Sequence, residues 1–355
     1  MNPYWSKRLA QITPYTPGEQ PKDGTFIKLN TNENPYPPSP EVLRAIAAAA
    51  GAELRLYPKP ECDDVRAAIA AYYNLRPEQI FAGNGSDEVL AMVFLAFFSP
   101  EDRIAFPRIS YSFYPVYADL FAIPYKAVPL EKDYTLNPQA FRKDFRGIVF
   151  ANPNAPTGIA MPLAQVEQIL KEHPDIPVIV DEAYVDFGGE SAVALIDRYP
   201  NLVVVQTFSK SRSLAGLRAG FAMGQAPMIE AINAVKNSFN SYTMDCLAQA
   251  GAAAAMRDTA YFEQTRRKIM ATRERSTKAL EALGFTVLPS KTNFIFVTHP
   301  EKAASELLAA LRERKILVRY FSSPEIDRFL RITIGTDAEM DALTETLREI
   351  LHQVS

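Results

Sequence analysis

The chain has 355 residues and a mass of 39.5 kDa, more than one hydrophobic core usually serves, so a large and a smaller domain are expected. Its 48% hydrophobic and 22% charged residues suit a globular protein, and a net charge of −3 gives no electrostatic footprint for nucleic acid or an anionic membrane. Two cysteines, Cys62 and Cys246, lie far apart without CxxC spacing, which argues against a disulfide framework or a zinc site and fits a reducing cytosol.

Residues 1–40 are rich in Pro, Asn and Tyr and lack periodicity, so they read as an extended arm that lies on something else. Their first 13 residues carry no apolar run of signal-peptide type. Helices are predicted over Glu41–Ala50 and Cys62–Tyr73. Seven short apolar runs then read as strands: Ile80–Ala82, Ile104–Phe106, Tyr125–Val128, Ile148–Ala151, Val178–Val180, Leu202–Val205 and Gly220–Met223. Helical stretches such as Glu88–Phe98 and Leu163–Glu172 separate many of them. That alternation predicts an α/β fold with a mostly parallel sheet buried on both faces, whose active residues gather at the carboxyl ends of the strands. The most apolar stretches, such as Val89–Phe98, are too short to span a bilayer.

A charged amphipathic helix over Tyr261–Leu283 leads into a second unit, with strands near Phe285–Leu288, Asn293–Val297, Ile316–Arg319 and Phe329–Ile334. Helices over Glu301–Arg314 and Ala338–Leu351 complete a smaller α+β domain. The expected division is residues 1–40 as arm and small-domain segment, 41–260 as the large domain and 261–355 as the small one. His173, His299 and His352 are scattered and read as surface or capping residues, not metal ligands.

Chemistry concentrates at the predicted strand ends. Lys210 follows the run Leu202–Gln206 with Thr207, Ser209, Gly216 and Arg218 around it: an amine that can condense with a carbonyl, beside hydroxyls and a planar fork suited to phosphate. Gly83–Glu88 is a Gly-rich turn opening a helix, an anion site through its free N–H groups, although Ser86 or Asp87 serves equally as an N-cap. Asp181 ends an apolar strand, where a carboxylate needs a partner such as a protonated pyridine; the alternative is a cap for the next turn. Tyr184 is placed to reach a ring phenolate, and the adjacent Glu182 reads as structural. Tyr111 offers a ring for stacking, and Asn152–Gly158 forms a tight loop with amide donors. Together these segments are the inventory for pyridoxal 5′-phosphate.

The chain resembles the fold-type I pyridoxal-phosphate-dependent aminotransferases, and within them the histidinol-phosphate branch. The resemblance rests on Leu29–Tyr36, Leu56–Pro58, Gly83–Glu88, Asn152–Gly158, Asp181–Tyr184, Thr207–Arg218 and Phe329–Thr336, in family order along almost the whole chain. It implies a large domain with a seven-stranded sheet and a smaller α+β domain. It implies that Lys210 holds the cofactor covalently and then shuttles the substrate proton, with Asp181 on the pyridine nitrogen, Tyr184 on the phenolic oxygen and Tyr111 on the ring face. Ser86, Asp87, Thr207, Ser209 and Arg218 would cradle the phosphate, joined by Tyr57 from the partner of a homodimer with shared active sites. Arg331 resembles the arginine that clamps an α-carboxylate, while Arg319 and Tyr15 match positions for a distal phosphate or carboxylate; Asn34 joins them as a substrate contact. Where relatives often carry a second Asn, this chain has Ala155, so Asn154 is expected to reach the ring oxygen in its place, with Asn152 or Tyr184 alone as alternatives.

The implied activity is amino-group exchange between histidinol phosphate and 2-oxoglutarate in histidine biosynthesis, in the cytoplasm, with small-molecule substrates and no nucleic acid or membrane partner. A threonine-phosphate decarboxylase and an aromatic-amino-acid aminotransferase are the neighbouring readings. A non-catalytic regulator of the same fold would need a DNA-binding module, for which the chain has no room.

Overall fold

The structure, a computed structural model, describes residues 4–352 apart from 7, 10, 11, 17, 22–24 and 142. Those parts of the N-terminal arm and its first three residues therefore lie outside the described residues. In chain order the main elements are β1 (Ile27–Lys28), α1 (Pro40–Ala49), α2 (Asp63–Tyr73), β2 (Ile80–Gly83), α3 (Ser86–Phe97), β3 (Ile104–Pro107), α4 (Phe113–Phe121), β4 (Tyr125–Val128) and β5 (Gly147–Ala151). They continue with α5 (Leu163–Glu172), β6 (Val178–Asp181), β7 (Leu202–Thr207), β8 (Gly220–Gly224), α6 (Ala226–Phe239), α7 (Cys246–Arg257) and α8 (Thr259–Ala282). The C-terminal elements are β9 (Thr286–Val287), β10 (Phe294–Thr298), α9 (Ala304–Glu313), β11 (Ile316–Leu317), β12 (Arg319–Tyr320), β13 (Leu330–Thr333) and α10 (Asp337–His352).

The seven expected strands form one sheet in the order β2-β8-β7-β6-β5-β3-β4. All neighbours pair parallel except β8, which runs antiparallel to both β2 and β7. Successive side chains point to opposite faces, and both faces are covered. Ile148, Phe150, Val178, Val180, Leu202 and Val204 pack with α2, α5 and α7; Val149, Ile179, Val203 and Val205 pack with α3, α4 and α6. Burial on both sides explains why these strands read as continuous apolar runs, without polar alternation.

Register is what builds the site. Asp181 pairs with Ala151 on one side and Val205 on the other, so the carboxyl ends of β5, β6 and β7 lie level. On the far side, Gly220 at the start of β8 faces both Gly83, the last residue of β2, and Thr207, the last of β7. The Gly83 turn and the Lys210 loop are thereby brought together across a residue of a third strand.

The second unit is a four-stranded antiparallel sheet, β12-β13-β10-β9, packed against α8, α9 and α10 through Ile269, Leu307, Leu311, Met340, Leu343 and Leu347. The segment before α1 joins it: β1 pairs parallel with β11, and Leu29 is buried in this core. The single strand expected over Ile316–Arg319 is divided, because Ile316 and Leu317 pair with β1 whereas Arg319 and Tyr320 pair with β13.

Two further expectations, on the cap of α3 and on His173, are corrected. Helix α3 begins at Ser86 with Gly85 as its N-cap at φ +87°, so neither Ser86 nor Asp87 caps it. Helices α4 and α6 carry aromatic residues or an early proline and give a weak propensity signal; the proline of α6, Pro227, lies in the first turn, where its missing N–H costs nothing. His173 does occupy the C-cap of α5, but it is buried, with Nε2 3.1 Å from the Phe141 carbonyl.

Candidate active site

Helix α3 opens on a glycine with no side chain capping its first N–H groups, which leaves an anion-binding end. The surrounding backbone is unusually close. A Cβ on Gly220 would fall 2.4 Å from the Ser86 nitrogen, and one on Gly85 would fall 2.7 Å from Arg218 Nη2, so only glycine fits either position. Arg218 itself adopts φ +52° and bonds Asp87 Oδ2 at 3.0 Å. Thr207 Oγ1 accepts from the Ser209 N–H at 3.1 Å, and Ser209 is buried beside it. The start of α3 is thus joined to Arg218 through Asp87, and the ends of β2 and β7 meet at Gly220.

Asp181 lies at the end of the neighbouring strand, β6. Asp181, 4% exposed, accepts from the Tyr114 hydroxyl at 2.8 Å and from the Ala183 N–H at 3.1 Å. Neither partner is a cation, and burial pushes its pKa up to about 6. A carboxylate so placed is costly until a positive group meets it, which is what a protonated pyridine nitrogen supplies. Tyr111 donates to Asp87 Oδ1 at 2.6 Å, and its ring stands edge-on to Tyr114 with centroids 5.6 Å apart. Asp87 therefore orients both the Tyr111 ring and the Arg218 guanidinium. Glu182 points away, accepting from Ser191, Ala192 and Gln206; burial raises its pKa to about 7, and its role is structural.

Lys210 is half-buried, with Nζ 3.3 Å from the Thr31 carbonyl and 5.9 Å from the centre of the Tyr184 ring. Tyr184 in turn lies edge-on to Phe294, with centroids 5.1 Å apart. Arg331, half-buried on β13, donates from Nη2 to the Asn30 carbonyl at 3.1 Å, while its buried Nε has no partner. Its guanidinium sits over Phe294 and Phe321 at 5.3 and 5.5 Å. Burial lowers its pKa first, Tyr184 and Tyr15 support its charge, and Arg319 opposes it. Arginine stays protonated regardless, so the result is a desolvated cation with an unused donor, the setting for a bidentate anion contact. The Tyr15 ring lies tilted by 33° against Phe113 with centroids 4.5 Å apart, and Arg319 lies over Phe321 at 5.6 Å.

Two expected contacts are not formed. Both amide hydrogens of Asn154 are used, on the Ile109 carbonyl at 2.9 Å and Thr157 Oγ1 at 3.1 Å, and its oxygen accepts from Ser110. Asn152 is likewise closed on Met161 through both ends of its amide. Asn154 therefore has no donor left for a further acceptor, whereas Asn152 keeps one amide hydrogen without a protein partner. Asn34 bonds the carbonyls of Lys210 and Ser211 at 3.0 and 3.2 Å and accepts from the Tyr36 N–H, so it braces the lysine loop and has no donor for substrate. Tyr57 lies away from the other residues, 82% exposed and stacked on Tyr242 at 4.7 Å.

Two contributors were not singled out from the sequence. Tyr114 holds Asp181; its signal was the helical spacing of Tyr114, Tyr117 and Phe121 on α4. Asn32 donates to the Tyr184 hydroxyl at 2.9 Å, and nothing in its asparagine-rich surroundings distinguished it.

The sequence profile of the family described as aminotransferase class I and II matches residues 24–347. Histidinol-phosphate aminotransferase 1 of Bordetella parapertussis is 58% identical over 353 residues, covering 99% of this chain and 99% of that relative. Histidinol-phosphate aminotransferase 2 of Dechloromonas aromatica is 56% identical over 354 residues with the same coverage. Among solved structures, histidinol-phosphate aminotransferase from Sinorhizobium meliloti in complex with pyridoxal-5′-phosphate is similar at a TM-score of 0.84 and 26% identity, over 92% of this chain and 91% of that one.

Proposed function

Because the chain belongs to the class I and II aminotransferases, we propose that it exchanges the amino group between L-histidinol phosphate and 2-oxoglutarate, giving imidazole-acetol phosphate and L-glutamate. The enzyme is a pyridoxal-phosphate-dependent transaminase of histidine biosynthesis. The observation that carries the substrate is the 58% identity with a histidinol-phosphate aminotransferase across 99% of both chains.

Pyridoxal phosphate supplies an aldehyde that takes up the substrate amine and a ring that accepts the electron pair left at Cα. The unpaired, buried carboxylate of Asp181, the uncapped end of α3 and the close approach at Gly85 and Gly220 fit that group. Ser86, Asp87, Thr207, Ser209 and Arg218 would hold its phosphate, Tyr111 its ring face, Asp181 its pyridine N–H and Tyr184 its phenolic oxygen. Lys210 Nζ would anchor it, then take the proton from the substrate Cα as general base and deliver it to the former aldehyde carbon, two bonds away across the shared nitrogen. Arg331 would orient the substrate. Histidinol phosphate carries a phosphate where glutamate carries its α-carboxylate, so one guanidinium can receive either anion, with Arg319 and Tyr15 at the more open end.

A homodimer is supported by the exposed apolar group of Tyr57, Phe239, Leu54 and Leu56, of which Phe239 is 79% exposed. In that dimer Tyr57 would reach the partner's phosphate. A cytoplasmic setting is supported by two unpaired cysteines; no helix among the described residues is long and apolar enough to cross a membrane.

The cofactor-loaded protein mixed with histidinol phosphate alone is expected to lose its visible absorption band, and 2-oxoglutarate is expected to restore it. An unchanged band with both histidinol phosphate and glutamate would remove the transaminase reading. Release of carbon dioxide from threonine phosphate would favour a decarboxylase, and a higher kcat/KM with phenylalanine would favour an aromatic specificity.

Arg331→Lys is expected to lower kcat/KM roughly 10²-fold for both histidinol phosphate and glutamate, because a point charge does not replace a planar fork. Steady-state kinetics with each amino donor checks this. A loss confined to one substrate would mean that the two anions use different residues.

A further inference from the structure

We propose that Asn32 is a positioning residue that fixes the direction of the Tyr184 hydroxyl hydrogen, leaving it free to donate to the cofactor's ring oxygen. This inference rests on the pyridoxal-phosphate reading of the site. It concerns a residue that touches neither cofactor nor substrate.

The argument is one of hydrogen-bond polarity. The Asn32 backbone N–H donates to Thr333 Oγ1 at 3.0 Å. Thr333 has one hydroxyl hydrogen, and with its oxygen already accepting, that hydrogen goes to Asn32 Oδ1 at 3.1 Å. The amide of Asn32 is thereby oriented with its oxygen toward Thr333 and its nitrogen toward Tyr184. Nδ2 donates to Tyr184 Oη at 2.9 Å. A phenol that accepts there keeps its own hydrogen for another acceptor.

The Asn32 carbonyl accepts from Asn293 Nδ2 at 3.0 Å, so every polar group of Asn32 is engaged while the residue is 1% exposed. It stands at φ +56°, a left-handed conformation that Asn tolerates better than most residues. Thr333 closes β13 and Asn293 precedes β10, so the phenol is held from the C-terminal sheet, although Tyr184 itself follows β6. The same short segment touches the rest of the machinery: Asn30 receives Arg331, Thr31 receives Lys210, and Asn34 braces the lysine loop. With both amide hydrogens of Asn154 engaged elsewhere, the direction of one phenolic hydrogen bears directly on what the ring oxygen receives.

The charged groups facing Tyr184 are Lys210 from the loop after β7 and Arg331 from β13, with Glu33 acting on Lys210 and Asp181 three residues upstream. None of these changes when Asn32 is replaced by glycine, which accepts the same φ without strain. A donor on the ring oxygen favours its anionic form and so disfavours protonation of the neighbouring nitrogen.

The test is a pH titration of the visible absorption band of the cofactor-loaded protein. In Asn32→Gly the midpoint is expected to rise by about one pH unit, a tenfold change in proton affinity, as for weakening one hydrogen bond to a charged group. In a Tyr184→Phe background the same replacement is expected to leave the midpoint unmoved, since no hydroxyl remains to be oriented. Asn32→Asp serves as the second variant: it keeps the shape and the left-handed tolerance but accepts where Asn donates, and its midpoint is expected to rise at least as far. An unchanged midpoint in Asn32→Gly, or an equal rise with and without the Tyr184 hydroxyl, overturns the proposal. Absence of any visible band in the unaltered protein would instead strike the pyridoxal-phosphate reading beneath it.

Discussion

Lys210→Ala is expected to lower turnover by on the order of 10⁶-fold, the scale seen when the group at the centre of a cooperating set is removed. The side chain is half-buried, and its one hydrogen bond, to the Thr31 carbonyl, is 3.3 Å long. Stability should therefore change by about 0.5 kcal/mol or less, within the range of an ordinary surface replacement. Borohydride reduction followed by peptide mapping is expected to label Lys210 in the unaltered protein and no lysine in the variant. A label on another lysine, or turnover reduced less than tenfold in a variant that melts normally, would mean that the amine of this site lies elsewhere.

Asp181→Asn is expected to reduce kcat roughly 10³-fold, because an amide cannot hold the ring nitrogen protonated while the electron pair is delocalised. The same replacement carries a second, independent signature in the cofactor-free protein. Burial raises the Asp181 pKa from 3.8 to about 6. A group whose folded pKa is raised contributes stability below its unfolded pKa and loses it as pH rises through the folded value. Between about pH 4 and pH 7.5 the cofactor-free wild type should thus lose about 2.5 kcal/mol relative to Asp181→Asn, most of the free energy equivalent of that displacement. Glu182, raised to about 7 by burial, adds a slope of the same sign to both proteins and cancels in the comparison. Urea unfolding at the two pH values measures the difference. Cofactor should reduce it in the wild type by bringing a positive group to the carboxylate. A variant whose stability tracks the wild type across that range would show that Asp181 is not the unpaired charge inferred here.

The catalytic strand ends were legible because their signals are local. An apolar run that stops at Asp181, and another that stops before Thr207 and Lys210, mark the ends of β6 and β7 to within two residues. Strands buried on both faces must be apolar throughout, so the polar residue that ends one stands out. Helices were legible where Ala, Leu and Glu dominated, as in α5, and illegible where aromatic residues did, as in α4, whose existence depends on burying Tyr114, Tyr117 and Ala118 against the sheet. Tyr114, the one side-chain donor to Asp181, was missed for that reason.

Asparagines mark the boundary most clearly. Asn34, Asn152 and Asn154 were read as available donors, or as alternatives for one, because the residue type permits it. Asn34 and Asn154 spend both amide hydrogens on nearby carbonyls or a hydroxyl instead, and Asn152 is held against Met161 through one hydrogen and its oxygen. Asn32, with the same chemistry two residues from Asn34, is the one turned toward the site. A short amide is competent wherever it stands, and its direction is set by partners as distant as Thr333, 301 positions along the chain.

The residues alone determined the two-layered packing of the large sheet and the chemical kinds present: an amine, a buried acid, a phenol and phosphate donors. They did so because period, apolar continuity and residue type are properties of short stretches. Only tertiary structure decided which donors remain free, through the register that sets Gly220 between Gly83 and Thr207 and through the return of β1 and Asn32 to the C-terminal sheet. Hydrogen bonds are exclusive and directional, so their assignment waits until every competing partner has been brought within reach.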